Sequence, residues 1–222
     1  MADQVVYPGR LIAVDGSRGK DTAAAADAIV DALRKNGVEC AISRWDASGL
    51  FGELASTGRG DRNISMRTLA LVYAADLAFR LRWEIRPVLE SGGVIVAAPY
   101  TETAIAFGAS CGLSEEWTTT LMRFAPAADL RGRAEERRVD SAWKRRTDRG
   151  FAEYCAAMLD ASAPRKVSKR ARREMMRLLD QARGRKIFTL THKGVEAIAK
   201  AVTGSRQDGP RRSPLRPRSG HK

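Results

Sequence analysis

Lys20 is the residue around which the chemistry of this chain gathers. It stands in Gly16-Ser17-Arg18-Gly19-Lys20-Asp21-Thr22, after the run Leu11-Ile12-Ala13-Val14-Asp15 and before an Ala-rich stretch. A buried strand, a Gly-rich turn, a lysine and a helix make a phosphate cradle, in which backbone N–H groups and the lysine face the anion. The candidate phosphate contacts are therefore Gly16, Ser17, Gly19, Lys20, Asp21 and Thr22. Two features depart from a working loop, which has four residues between its glycines and a Ser or Thr after the lysine. Only two residues separate Gly16 from Gly19, and Asp21 stands where the metal-holding hydroxyl belongs. The shorter turn offers fewer N–H groups, and Asp21 sets a negative charge beside any phosphate.

The elements that must position this loop are legible from periodicity. Leu11 to Val14 is apolar without alternation, as in a parallel strand covered on both faces. Thr22 to Asn36 has Ile29, Val30 and Leu33 at helical spacing, with Gly37 as a natural stop. Val38 to Arg44 reads as a second strand and Gly93 to Ala98 as a third. Met66 to Glu90 reads as one long helix that Pro87 kinks or restarts. Strands alternating with helices predict an α/β fold, a parallel sheet with helices on both faces in three layers. Further on, Lys186 to Thr191 reads as a short strand and Val195 to Val202 as a closing helix.

Composition narrows the partners. The chain has 222 residues, with 39 Lys and Arg against 26 Asp and Glu, a formal charge of +13. Such a field favours polyanions: nucleotides, nucleic acid or acidic proteins. Residues 165–186 read as a basic amphipathic helix, and residues 205–222 as a disordered basic tail rich in Pro, Arg, Ser and Gly. These two segments are the candidate nucleic-acid contacts. Cys40, Cys111 and Cys155 are widely spaced and both histidines fall late, so no metal site is expected and a reduced, cytoplasmic chain is. No apolar run approaches the roughly 20 residues of a membrane span. Trp45, Trp83, Trp117 and Trp143 read as packing residues.

Over residues 9–113, and in weaker patches to about residue 203, the chain resembles thymidylate kinases, which are P-loop nucleoside-monophosphate kinases. Gly9 to Gly16 is similar to that family's opening strand, and Arg44 falls where an arginine follows the second strand. Tyr73-Ala74-Ala75-Asp76 resembles the family's Phe-Ala-Ala-Asp-Arg helix, with Leu77 in place of the arginine. Ile85-Arg86-Pro87 and Leu89-Glu90 match the run into the third strand. That strand ends Ala98-Pro99-Tyr100 where the family has Asp-Arg-Tyr. Thr103, Ala106 and Phe107 follow at the family's spacing.

The resemblance implies a P-loop kinase-like domain over residues 1–204, ATP with Mg²⁺ as cofactors, a dTMP-like acceptor and a homodimer. It implies Arg44, Tyr100 and Phe107 as acceptor contacts, Lys20 and Arg18 as catalytic cations, and a lid carrying Arg145, Arg146 and Arg149. The framework is kept, while the hydroxyl at 21 and the charged residues at 77, 98 and 99 are not. Phosphoryl transfer rests on positioning and electrostatic stabilisation, and each lost preorganised contact costs about 10²–10³ in rate. The first expectation is thus a thymidylate-kinase-like protein with weakened or lost catalysis and a residual nucleotide-binding or regulatory role. The others are an active divergent dTMP kinase and a nucleic-acid-binding protein on a kinase-derived scaffold. Around Leu130 the family places a central strand, but Arg131-Gly132-Arg133-Ala134-Glu135-Glu136 is too charged to bury cheaply. A shortened sheet without that strand is expected, closed by Ile187 to Leu190.

Overall fold

The computed structural model describes residues 6–57, 64–134, 169–181 and 187–207. Lid residues Arg145, Arg146 and Arg149, Trp143, and the tail beyond Gln207 lie outside them. The first half of the described chain runs β1 (Arg10–Asp15), α1 (Gly19–Lys35), β2 (Cys40–Arg44), α2 (Leu50–Thr57) and α3 (Met66–Arg80). A π-helical stretch (Leu81–Ile85) then leads into α4 (Arg86–Glu90) and β3 (Val94–Ala98). The rest is α5 (Thr101–Ser110), α6 (Glu115–Leu121), β4 (Leu130–Arg133), α7 (Lys169–Gln181), β5 (Ile187–Thr189) and α8 (His192–Gln207). None of the described helices is long and apolar enough to cross a membrane.

The five strands form one parallel sheet in the order β2-β3-β1-β4-β5. Successive β1 side chains serve opposite faces, so both must be apolar. Leu11 and Ala13 join a core with α3, α5 and α7, through Leu69, Tyr73, Phe107, Met175 and Leu179. Ile12 and Val14 join a second core with α1 and α8, through Ile29, Leu33, Ile198 and Val202. These are the three layers expected. The phosphate loop leaves the C-terminal end of β1, and β3 delivers Pro99 and Tyr100 beside it.

The long helix is continuous but changes its winding before Pro87. The Arg86 N–H donates to the carbonyl of Leu81, a five-residue step, and Pro87 opens the next α-helical segment. A proline without an N–H is tolerated in a first turn, so the π turn carries the chain through without a break. Trp83 on this stretch is 64% exposed, which corrects the expectation of a packing role.

The sheet is not shortened. Leu130–Arg133 pairs with β1 on one side and β5 on the other, so the central strand is present. Its charges escape the desolvation penalty because each arginine meets a carboxylate. Arg131 bonds Glu102 of α5 at 2.6 Å, and Arg133 bonds Asp180 of α7 at 2.9 Å. Gly132 faces the other way, where a Cβ would come within 2.7 Å of the Leu190 side chain. The alternation of arginine and glycine thus matches one charged and one tightly packed face.

Candidate nucleotide site

The loop is fastened to the sheet by Asp15. Its Oδ1 accepts from the Tyr100 N–H at 3.0 Å, the Thr103 N–H at 2.9 Å and the Thr103 hydroxyl at 2.8 Å. These donors lie at the start of α5, so Asp15 caps a helix distant in sequence. The Gly16 N–H donates to Thr103 Oγ1 at 3.1 Å, which turns that N–H inward. Burial pushes the Asp15 carboxyl up, against the Thr103 and Tyr100 hydrogen bonds and the charge of Arg131. Glu102 is likewise raised by burial and by Asp15, with Arg131 opposing.

Both hydroxyls of the loop are turned away from solvent. Ser17 is 1% and Thr22 is 2% exposed. Thr22 Oγ1 donates to the Arg18 carbonyl at 2.9 Å and sits against Gly16, where a Cβ would meet it at 2.6 Å. Arg18 precedes the helix in extended conformation and provides no side-chain cap. Its Nε lies 3.5 Å from Asp21 Oδ2, with side chains 26% and 8% exposed. Lys20 is half-buried in the first turn of α1.

The sequence-derived acceptor residues are not brought together. Arg44 pairs with Asp27 of α1, on the α1 face of the sheet. Tyr100 and Phe107 are buried in the core on the opposite face. The Tyr100 hydroxyl donates to the Pro126 carbonyl at 2.8 Å, and burial holds that phenol far above its ordinary range. Tyr73 is also buried, its hydroxyl donating to the carbonyls of Pro99 and Tyr100. Asp76 accepts from the Asp46 N–H and from the N–H and hydroxyl of Ser48, at 2.9–3.0 Å, and so folds the turn after β2. Leu77 is buried apolar surface.

Arg80 is assigned no role from the sequence. It is 0% exposed, the largest of the fully buried side chains in the described residues. Its Nε donates to Ser43 Oγ at 2.9 Å, and its two terminal nitrogens donate to the carbonyls of Pro99 at 3.0 Å and Ser43 at 3.1 Å. The Ser43 hydroxyl in turn donates to Glu84 Oε2 at 2.6 Å. Arg80 therefore ties the ends of β2 and β3 together beside the loop. The signal for it was an arginine at a position where α3 must be apolar.

A cleft of about 320 Å³ opens on the α5 side, lined by Tyr100, Glu102, Ile105, Met122, Arg123 and Arg131 among others. Its Tyr100–Glu102 wall is the segment that Asp15 holds. A groove of about 330 Å³ lies between the later half of α1 and the start of α8. Among the described residues, no group of three His, Cys, Asp or Glu is placed to hold a metal.

A parallel sheet of this order, with a lysine-bearing Gly-rich turn running from β1 into α1, has the architecture of the P-loop kinases. Comparison with curated proteins makes the assignment narrower. The chain is 29% identical over 131 residues to a probable thymidylate kinase of Thermococcus gammatolerans, covering 55% of this chain and 63% of that one. It is 29% identical over 129 residues to the probable thymidylate kinase of Pyrococcus abyssi, covering 55% and 62%. It is 25% identical over 130 residues to the thymidylate kinase of Xylella fastidiosa, covering 59% and 60%. These matches relate the chain to the thymidylate kinase family, and each spans less than two thirds of the relative's length. No family model matches the chain.

Proposed function

We propose that this protein is a thymidylate-kinase-like nucleotide binder in which dTMP phosphorylation is weakened or lost. The observation that carries the reading is the state of the phosphate loop. Its hydroxyls, Ser17 and Thr22, are buried, and its cation Arg18 faces the carboxylate of Asp21. Lys20 and the opening N–H groups of α1 fit a polyphosphate. Mg²⁺ fits poorly, because the hydroxyls point inward and Asp21, the acidic residue of the first turn, already has a cationic neighbour. A metal delivered with ATP would supply charge neutralisation during transfer, which this chain's residues are not arranged to support.

The acceptor side is weakened in the same way. Arg44 is turned to Asp27, Leu77 is apolar, and Pro99 has no charge to offer. The cleft beside α5 is the acceptor's place in this reading, since it shares the Tyr100–Glu102 wall with the loop through Asp15. Arg123 and Arg131 are its cations.

Thermal unfolding with ATP, with dTMP and with Mg²⁺, followed by single-turnover transfer on the same sample, tests the reading. A ligand at about 100 times its Kd stabilises by roughly 2.7 kcal/mol. The expected outcome is a ligand-dependent rise in Tm, reduced by Lys20→Ala, with little or no dTDP formed. Product at an ordinary kinase rate refutes the loss of catalysis. No shift with either nucleotide refutes nucleotide binding.

A further inference from the structure

The phosphate loop of this protein carries its own anion. Asp21 lies in the first turn of a 17-residue helix, the place where the helix dipole and exposed N–H groups attract negative charge. Its carboxylate is 8% exposed and 3.5 Å from Arg18 Nε, so it is shielded from solvent and already pairs with the loop's arginine. The turn that would otherwise present hydroxyls is closed on itself: Thr22 Oγ1 bonds the Arg18 carbonyl, and Ser17 is buried. One further N–H, that of Gly16, is spent on Thr103. What the loop offers an incoming anion is therefore led by Lys20 and by an arginine shared with a carboxylate.

We propose that Asp21 is an internal competitor for anions, and that its charge sets how weakly the loop holds a polyphosphate. This inference rests on the reading of the loop as a nucleotide site. A phosphate seated on the first turn of α1 must either share Arg18 with Asp21 or displace it. It also lies close to a buried like charge that solvent and salt screen little. Ligands with less negative charge meet less of this repulsion, so Asp21 discriminates against ATP more than against a monophosphate. Removing the charge frees Arg18 and abolishes the repulsion. A gain of affinity on neutralising a loop residue is the opposite of what a structural or metal-holding role predicts.

The test is calorimetric titration of the full chain with ATP and with tripolyphosphate, each with and without Mg²⁺. It compares the natural protein with Asp21→Asn, Asp21→Ser and Asp21→Glu. Asp21→Asn and Asp21→Ser are expected to bind both probes at least about tenfold more tightly without Mg²⁺, a full unit charge having been removed. Asp21→Glu is expected to stay near the natural affinity. The ligand-free Tm of Asp21→Asn should fall slightly, since an acid in the first turn favours the helix, while its ATP-induced shift grows. Those opposite movements separate the effect from general destabilisation, and Asp21→Ser serves where Asp21→Asn fails to fold.

Equal or weaker binding by both neutral variants overturns the proposal. So does a loss of affinity confined to Mg²⁺, which makes Asp21 a metal ligand. Should ATP bind the neutral variants and not the natural chain, the proposal stands and nucleotide binding by the natural chain falls. Should ATP bind the natural chain with no gain in the variants, the nucleotide reading stands and this proposal falls. Binding to none of them overturns both.

Discussion

At the residue scale, Arg80 shows how a charged side chain serves a core. A guanidinium has five N–H donors and holds its charge at any accessible pH. Each of its three nitrogens donates once, to Ser43 Oγ and to the carbonyls of Ser43 and Pro99. Those carbonyls belong to the ends of β2 and β3, where helices leave and strands stop pairing. Deleting the side chain takes a donor from Ser43 Oγ and from the carbonyls of Ser43 and Pro99, leaving Tyr73 alone to serve Pro99, and opens a large void. Arg80→Ala is therefore expected to lower stability by about 3 kcal/mol or more, measured by urea unfolding. Arg80→Lys recovers only part of this, since an ammonium cannot span the three acceptors in one plane. A loss below about 1 kcal/mol in Arg80→Ala would show that the carbonyls find other donors.

At the element scale, β4 is where sequence and structure part company. Two arginines around a glycine read as too charged for a central strand when only neighbours in sequence are considered. Their partners, Glu102 on α5 and Asp180 on α7, belong to other elements, and no periodicity within 130–134 reveals them. The two pairs differ in setting. Glu102 is largely enclosed, so Arg131→Ala strands a carboxylate among α5 and the cleft, at a cost of about 1–3 kcal/mol. Asp180 is 56% exposed, and Arg133→Ala is expected to cost at most about 1 kcal/mol. Chemical denaturation of the two variants checks the order, and equal losses would refute the contrast in burial. The apolar strands β1 and β3 and the helices α1 and α3 were legible because one residue type serves each face. So was the lysine-bearing turn. The orientation of Thr22, the engagement of Arg18 and the separation of Arg44 from Tyr100 were not, since each depends on contacts between elements.

At the scale of the whole molecule, the sheet converges at its C-terminal end on a buried acid, Asp15, whose charge also raises the neighbouring Glu102. Both carboxyls titrate above their ordinary values of 3.8 and 4.5, burial being the largest cause in each. The folded protein therefore holds these protons at a pH where the unfolded chain has released them. Stability from this source falls as pH rises from those ordinary values to the raised folded values, and does not change further above them. The usual hydrogen-bonded surface carboxylate acts in the reverse sense, losing stability as pH falls. Asp15→Asn keeps the Oδ1 acceptor for Tyr100 and Thr103 but removes the ionisation, so the part of the slope due to Asp15 should vanish. Urea unfolding at intervals from pH 4 to pH 8 measures it as the difference between the natural chain and Asp15→Asn. A difference constant across that range would mean that Arg131 and the α5 donors hold Asp15 ionised throughout. The loop would then rest on a fixed negative charge, and Asp15 would join Asp21 in opposing an incoming phosphate.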